Sequence, residues 1–448
     1  MLTFLRLPLR QVLFGLVVIL IALLDPFGLA TSTDDASANW LNRLLATQYA
    51  DDGQRQVVVV MIDDAYLQRN QTYWPLPYGE QSKVFKRLLA YQPAAVFVDL
   101  LYSHDHSRTL PGQAPRLESQ LLANVFARYQ QQGIPLFLAN TGLPRGEQGA
   151  VNALQRFTEV STPALVTWSG HGDHYPLAEQ TRLGLMETPA LKLYREYCRR
   201  TACPALPVDA SAASQLPDMA VQWGLYRSPE QAKVAKVGDC NLPTLSQQLL
   251  QAVFWKLGSN AQSNCVYSLT LSASDLETTD ADEQALLKRL LQGKLVLVGA
   301  SITGTGDITV SPLHGKIAGV YSHAMALDNL INWGMDYYRD TPSLADYGFT
   351  RAGGVDVLDL AELALLALIA YLRGSLDAPI LTRSLMHQQR RPLLRSLAAW
   401  ALVLLLLLGL SAVLWLKNFT PANVLGLLLL SLTLFSTRIQ ARSASSTW

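Results

Sequence analysis

Carboxylates and a histidine near the ends of apolar runs are the residues whose types and spacing could do chemistry. Asp63 and Asp64 follow the run Gln56–Ile62, Asp99 lies at the end of Ala94–Leu100, and Asp307 closes the turn after Lys294–Gly299. His323 comes further on, in a stretch of helical spacing. Strand-end carboxylates accept hydrogen bonds or cations, and His323 either faces a pocket among them or serves as a structural histidine packed against the sheet. The same residues serve as helix caps and turn formers, and both readings stand at Asp63, Asp64 and Asp99. No Gly-x-Ser-x-Gly occurs, and no Ser–His–Asp or Cys–His assembly can be read. In the turn GASITGTGD, residues 299–307, Gly299 and Gly304 have Walker spacing, but Thr305 stands where that loop needs its lysine. We therefore expect a binding protein, not an enzyme, and no cofactor.

Two histidine-bearing segments, His104-Asp105-His106 and His171-Gly172-Asp173-His174, supply imidazoles and carboxylates of the kind zinc takes. Both read as loops, where polar residues are ordinary, and no metal site is expected. The four cysteines lie at 198, 203, 240 and 265, without a CxxC pair. An even count in an oxidising compartment suggests disulfides. Short loops favour Cys198–Cys203 and Cys240–Cys265 over the other pairings.

The elements that must position these residues follow from the apolar runs. Gln56–Ile62, Ala94–Leu100, Ile134–Ala139 and Lys294–Gly299 are short and continuous, as fully buried strands are. Val84, Leu88 and Leu89 keep helical spacing within Tyr78–Tyr91, as do Leu121, Leu122, Val125 and Phe126 within Arg116–Gln132. Val320–Trp333 reads as a further helix. Strand and helix in alternation predict an α/β domain with a mostly parallel central sheet, whose function gathers at the carboxyl ends of the strands. Residues 141–292 are less regular and read as insertions.

Composition adds the membrane. Of 448 residues, half are hydrophobic and 16% are charged, against about 25% in an ordinary soluble domain. The net charge of +1 gives no electrostatic case for nucleic acid. Four apolar stretches approach the ~20 residues that span a bilayer. They predict spans at 11–31, 353–372, 396–416 and 418–437, around a cytoplasmic N-terminus 1–10, a cytoplasmic loop 373–395 and a tail 438–448. The first reads as an uncleaved signal anchor, because no clean small-x-small cleavage site follows it. Arg6 and Arg10, then Arg373, Arg383, Arg390, Arg391 and Arg395, then Arg438 and Arg442 all fall on one side of four such spans. The positive-inside rule makes that side cytoplasmic and residues 32–352 extracytoplasmic.

Asp356, Asp359 and Glu362 share one arc of the second predicted span. Asp356 is expected at the outer headgroups, and Glu362 about 15 Å from the cytoplasmic edge, near mid-bilayer. Intramembrane carboxylates are functional candidates by default. A protonated glutamate bonded within the bundle, a basic residue on a partner helix and a water-filled path are the alternatives. A helix that simply begins later would remove the question.

Two blocks are recognisable. VVVVMIDDAYLQRNQTYWPLPYGEQSKVFKRLLAYQPAAVFVDLLYS, residues 57–103, carries an Ile-Asp-Asp, a Trp-Pro-x-Pro beginning at Trp74, and a strand ending in Asp99. GKLVLVGASITGTGDITVSPLHGKIAGVYSHAMALDNLINW, residues 293–333, carries Gly-Lys-hydrophobic-Val-Gly-Ala, a Gly-Asp at Asp307 and a His-Ala…Asp-Asn helix beginning at His323. SGHGDHYPLAEQ, residues 169–180, is a weaker match. The chain resembles the type-two CHASE domain, an extracellular sensory domain of bacterial receptors, over roughly residues 50 to 335. One span before such a domain and three after it suit that family. Most members continue into a cytoplasmic output domain, whereas here about ten residues follow the last span.

The resemblance implies extracytoplasmic sensing, with a shared pocket near Asp63, Asp64, Trp74, Asp99, Asp307 and His323. The expected protein is an inner-membrane receptor signalling to a separate cytoplasmic effector. The alternative is a structural subunit of a cell-envelope assembly, with the outer domain as its docking module. The bilayer, an effector or other envelope proteins, and a second copy of the chain are the partners this reading admits. Nucleic acid is not among them.

Overall fold

The structure, a computed structural model, describes residues 29–103, 118–144, 154–168, 174–234, 244, 246–247, 265–304, 307–349, 355–377 and 391–432. The chain divides into two compact units, Asn42–Tyr338 and a second made of Met1–Leu41 with Arg339–Trp448.

In the first unit the strands are β1 Val57–Asp63, β2 Ala95–Val98, β3 Leu136–Asn140, β4 Thr162–Leu165, β5 His174–Tyr175, β6 Ala178–Thr181, β7 Gly184–Glu187, β8 Met219–Ala220, β9 Leu269–Ser272, β10 Leu295–Ser301, β11 Ile308–Ser311 and β12 Gly315–Ala318. Six form one sheet in the order β4-β3-β2-β10-β1-β9. Every pairing in it is parallel. β1 and β10 run side by side from Val57 opposite Leu295 to Asp63 opposite Ser301.

The parallel sheet expected from the apolar runs is present, and its burial explains those runs. Alternate residues face opposite sides of a strand. Val58, Val60 and Ile62 enter one core with Phe85, Phe126 and Leu291, from the helices Tyr78–Ala90, Glu118–Gln131 and Ala281–Leu291. Val57, Val59 and Met61 enter the other with Leu191, Leu193, Ala324 and Leu327, from Pro189–Cys198 and Val320–Trp333. Central strands thus need apolar side chains on both faces, and the β-branched valines suit the pleat. The edge strands β4 and β9 are four residues each and stand out from no loop in the sequence. Three two-stranded ribbons, β5 with β8, β6 with β7 and β11 with β12, fill the less regular regions. The expected Cys198–Cys203 disulfide is present at the end of its helix. Cys265 is buried, and its expected partner Cys240 lies outside the described residues.

The second unit holds the helices Val357–Asp377, Arg391–Leu416 and Val424–Ser431. Ile369, Ala399, Val403, Leu407 and Leu427 form its core. Among the described residues one helix is long and apolar enough to cross a membrane, over Leu394–Leu416. Most of the first predicted span, and the end of the fourth, lie outside the described residues.

The acids of this unit have local partners. Asp356 accepts from the backbone of Asp359 and Asp359 from that of Asp356, each at 2.9 Å, a reciprocal cap on the incoming helix. Glu362 lies in the second turn of that helix, not at its midpoint, because the helix continues past Leu372 to Asp377. Its Oε1 accepts the backbone N–H of Asn423 at 2.6 Å. Asn423 caps the Val424–Ser431 helix through Gly426 N–H and donates to Thr33 at 2.7 Å.

Candidate functional site

The carboxyl edge of the sheet is built by strand register. The backbone N–H of Asp99 bonds Val298 at 2.8 Å, which carries the β2–β10 ladder one step past Val98. Ala95 and Phe97 belong to the core beneath the Val320–Trp333 helix, so alternation turns Asp99 to the same face. That helix can lie close because β10 has no side chain at Gly299, where a Cβ would come within 2.6 Å of Val320. His323 is therefore delivered by the first turns of a helix that starts beside the ends of β2 and β10.

His323 is buried among aromatic rings, with Phe97, Tyr175 and Trp168 edge-on at 5.3, 5.6 and 6.0 Å between centroids. Its Nδ1 lies 2.8 Å from the Tyr175 hydroxyl, which also accepts the Ala190 N–H at 3.3 Å. The neutral imidazole can take the phenol proton at Nδ1 or donate to the phenol oxygen from it, according to which ring nitrogen carries the proton. Nε2 stands 3.9 Å from Asp99 Oδ2, too far for a hydrogen bond.

Burial pushes the His323 imidazole down to about 3, so the ring is neutral and the contact with Asp99 is not an ion pair. Burial first, then the charge of Asp307, push the Asp99 carboxyl up to about 8. Burial also raises Asp307, whose side chain lies against Gly319 just before the helix. The group is thus two carboxyls, one largely buried, beside a neutral histidine. It can accept a donor or a proton.

The CHASE2 domain family matches residues 13–366 of the chain. The chain belongs to the CHASE2 family. CHASE2 is a family of extracellular sensory domains. No curated protein and no solved structure matches the chain.

Within this CHASE2 domain the residues expected in one pocket separate into three groups. Asp99, Asp307 and His323 come together as described. Asp63 caps the short Asp64–Arg69 helix through Tyr66 N–H at 2.8 Å and accepts from Ser272 at 3.1 Å. Asp64 accepts from Thr303, by its N–H at 3.1 Å and its hydroxyl at 2.6 Å, which ties the turn after β10 to the start of that helix. Trp74 packs against the core on the opposite face of the sheet. A separate open groove of about 680 Å³ lies on that opposite side, lined by Arg87, Tyr91, Glu277, Gln284 and Lys288 among others, and none of the six expected residues lines it.

Tyr175 and Trp168 were not foreseen from the sequence. Tyr175 falls inside the weaker family-like block 169–180, which was the available signal; Trp168 just precedes it. His104, Asp105, His106, His171 and Asp173 lie outside the described residues.

Proposed function

We propose that this CHASE2 chain is a receptor-like protein of the bacterial inner membrane, held by four helices. Its periplasmic unit binds a ligand or protein and passes the change to a separate partner. The role is binding, not catalysis. One observation supports this most: Asp99 is largely buried at the carboxyl edge of a parallel sheet and makes no side-chain hydrogen bond to a described residue. A desolvated carboxyl without a donor is suited to a ligand that brings an N–H or a cationic group. We narrow the binding site to Asp99, Asp307 and His323, with Asp63 and Asp64 shaping the adjoining turns.

A thermal-shift screen of the full chain in nanodiscs tests this. A ligand should raise the unfolding temperature, and Asp99→Asn should abolish that rise while the unliganded protein stays folded. A ligand that acts equally on Asp99→Asn would place the site elsewhere.

A second reading has one observation in its favour. Ile308 and Val310 are exposed on β11, which pairs only with β12 among the described residues. An open apolar strand suits a docking module of an envelope assembly. A gentle-detergent pull-down from native membranes separates the two. Stoichiometric envelope components that are lost with Ile308→Lys would favour docking, and a recovered kinase or cyclase would favour a split receptor.

A further inference from the structure

The end of the helical unit where the chain enters its helices carries a compact turn with two exposed rings. Ser343 begins the turn, with its hydroxyl accepting Ala345 N–H at 3.2 Å and its own N–H bonded to Asp346 at 2.9 Å. Gly348 ends it in the left-handed region, φ +91°, which a residue with a side chain would resist. Within this closed structure Tyr347 is 62% exposed and Phe349 is 64% exposed. Large apolar rings in that state on a rigid turn call for a covering phase.

Backbone bonds fix the level of the turn. Leu344 N–H bonds Val355 at 2.9 Å, and Val357 N–H bonds Pro342 at 3.1 Å, so the turn sits at the start of the Val357–Asp377 helix. Arg339 exchanges bonds with Asn418 at 3.0 Å and Thr420 at 2.9 Å, immediately beyond Leu416. Leu416 is the last residue of the candidate membrane span. Trp415, Lys417 and Phe419 lie at the same end, and the Arg339 guanidinium lies 5.8 Å from the Phe419 ring. Arg391 and Arg395 lie at the other end of that helix.

We propose that the Ser343–Phe349 turn is a membrane-interface anchor, with Tyr347 and Phe349 seated in the headgroup region of the outer leaflet. The bilayer is the occupant because the turn is continuous with the end of an apolar helix, and because aromatic rings concentrate at that depth. The acids nearby do not oppose it. Asp340 accepts from Thr420, Asp346 from Ser343, and Asp356 and Asp359 from each other's backbone. The proposal rests on the reading that Leu394–Leu416 crosses the membrane.

Spin-label accessibility on the full chain in phosphatidylcholine/phosphatidylglycerol nanodiscs tests it. Tyr347→Cys, Phe349→Cys, Leu405→Cys and Val208→Cys are labelled one at a time under oxidising conditions. Leu405 is 67% exposed in the middle of the candidate span, and Val208 is 91% exposed in the sheet-bearing unit. The ratio of oxygen to nickel-chelate accessibility should be highest at 405, lowest at 208, and several-fold above the 208 value at 347 and 349. A lipid-like 405 with 347 and 349 matching 208 overturns the anchor alone. Loss of access to both reagents at 347 and 349 means protein covers the rings, which also overturns it. An aqueous 405 overturns the membrane reading and the anchor together.

Discussion

His323 owes its place to Tyr175 and to the rings around it. Tyr175→Phe removes the hydroxyl at Nδ1 and leaves a buried ring nitrogen without that partner. We expect a loss of about 1–3 kcal/mol, read by thermal denaturation, and a change in the ring's protonated nitrogen, read by nitrogen NMR. Asp328, on the same helix, is 1% exposed. Its Oδ1 accepts from Tyr49 and Asn332, while its Oδ2 has no partner among the described residues. Burial pushes this carboxyl up to about 8, with Asp51 and Asp52 adding to the rise and the Tyr49 and Asn332 bonds opposing it. An acid raised on folding holds its proton more tightly in the folded state. Its stabilisation is complete below the ordinary carboxylate range and is lost as pH rises toward 8. His323 works the other way, since its stabilisation is present above 6.5 and lost as pH falls toward 3. Between pH 6.5 and 8 the contribution of the histidine is constant, and Asp99 and Asp328 each remove up to about 1.4 kcal/mol per pH unit. The unfolding temperature of the chain should fall across that window, and Asp328→Asn should flatten the fall. An unchanged slope in Asp328→Asn would mean that its carboxyl is already ionised at pH 6.5.

At the scale of elements, the closest approach of helix to sheet is at Gly299. Gly299→Ala places a methyl against Val320 and should cost about 1–3 kcal/mol by forcing the Val320–Trp333 helix outward. The outward shift should also let water reach Asp99, whose carboxyl is raised first by burial, so the pH slope assigned to Asp99 should weaken in the same variant. The Cys198–Cys203 bridge closes a loop with a sequence separation of 5. Replacing both cysteines by serine should cost roughly 2 kcal/mol in denaturant titrations, the loop-closure value for so short a ring. Much of the element plan was legible because the sheet's centre is buried on both faces. VVVVMI and KLVLVG cannot alternate with polar residues, so they announce themselves. LTLS and TPAL, at the edges, face fewer neighbours and carry polar residues indistinguishable from loop. The site was legible to the same degree. Asp99, Asp307 and His323 stand where strand ends and a helix start can be inferred from local pattern. Tyr175 and Trp168 come from a stretch of short ribbons with no period to follow. Asp63 and Asp64 look like Asp99 in sequence and differ only in having local donors, Tyr66 and Thr303, to hold them.

For the whole molecule, charge sets the expectation. Alkaline phosphatase fused after Tyr226 should be active, and fused within the arginine-rich segment 373–395 it should be inactive, because basic loops stay in the cytoplasm. Equal activity at both positions would remove the four-span arrangement. Glu362→Ala should loosen the helical unit, since it strips the acceptor from the Asn423 N–H at the start of the Val424–Ser431 helix. Limited proteolysis in detergent should then cut near Lys417 faster than in the parent, whereas Glu362→Gln, which keeps an acceptor oxygen, should behave like the parent.

The strand order has a consequence in time. β10 lies between β1 and β2, yet it is made about 200 residues after them. At the usual ~5–20 residues per second of synthesis, the two halves of the sheet's centre wait on the order of 10–40 s for the strand that joins them. Throughout that interval each offers a valine-rich edge with unpaired backbone groups, the template on which chains aggregate. A ribosome that stalls before Lys294 releases a chain whose sheet cannot close. The nascent protein therefore has to be shielded as it emerges, and its yield in a cell should depend on holdase capacity more steeply than its final stability would suggest.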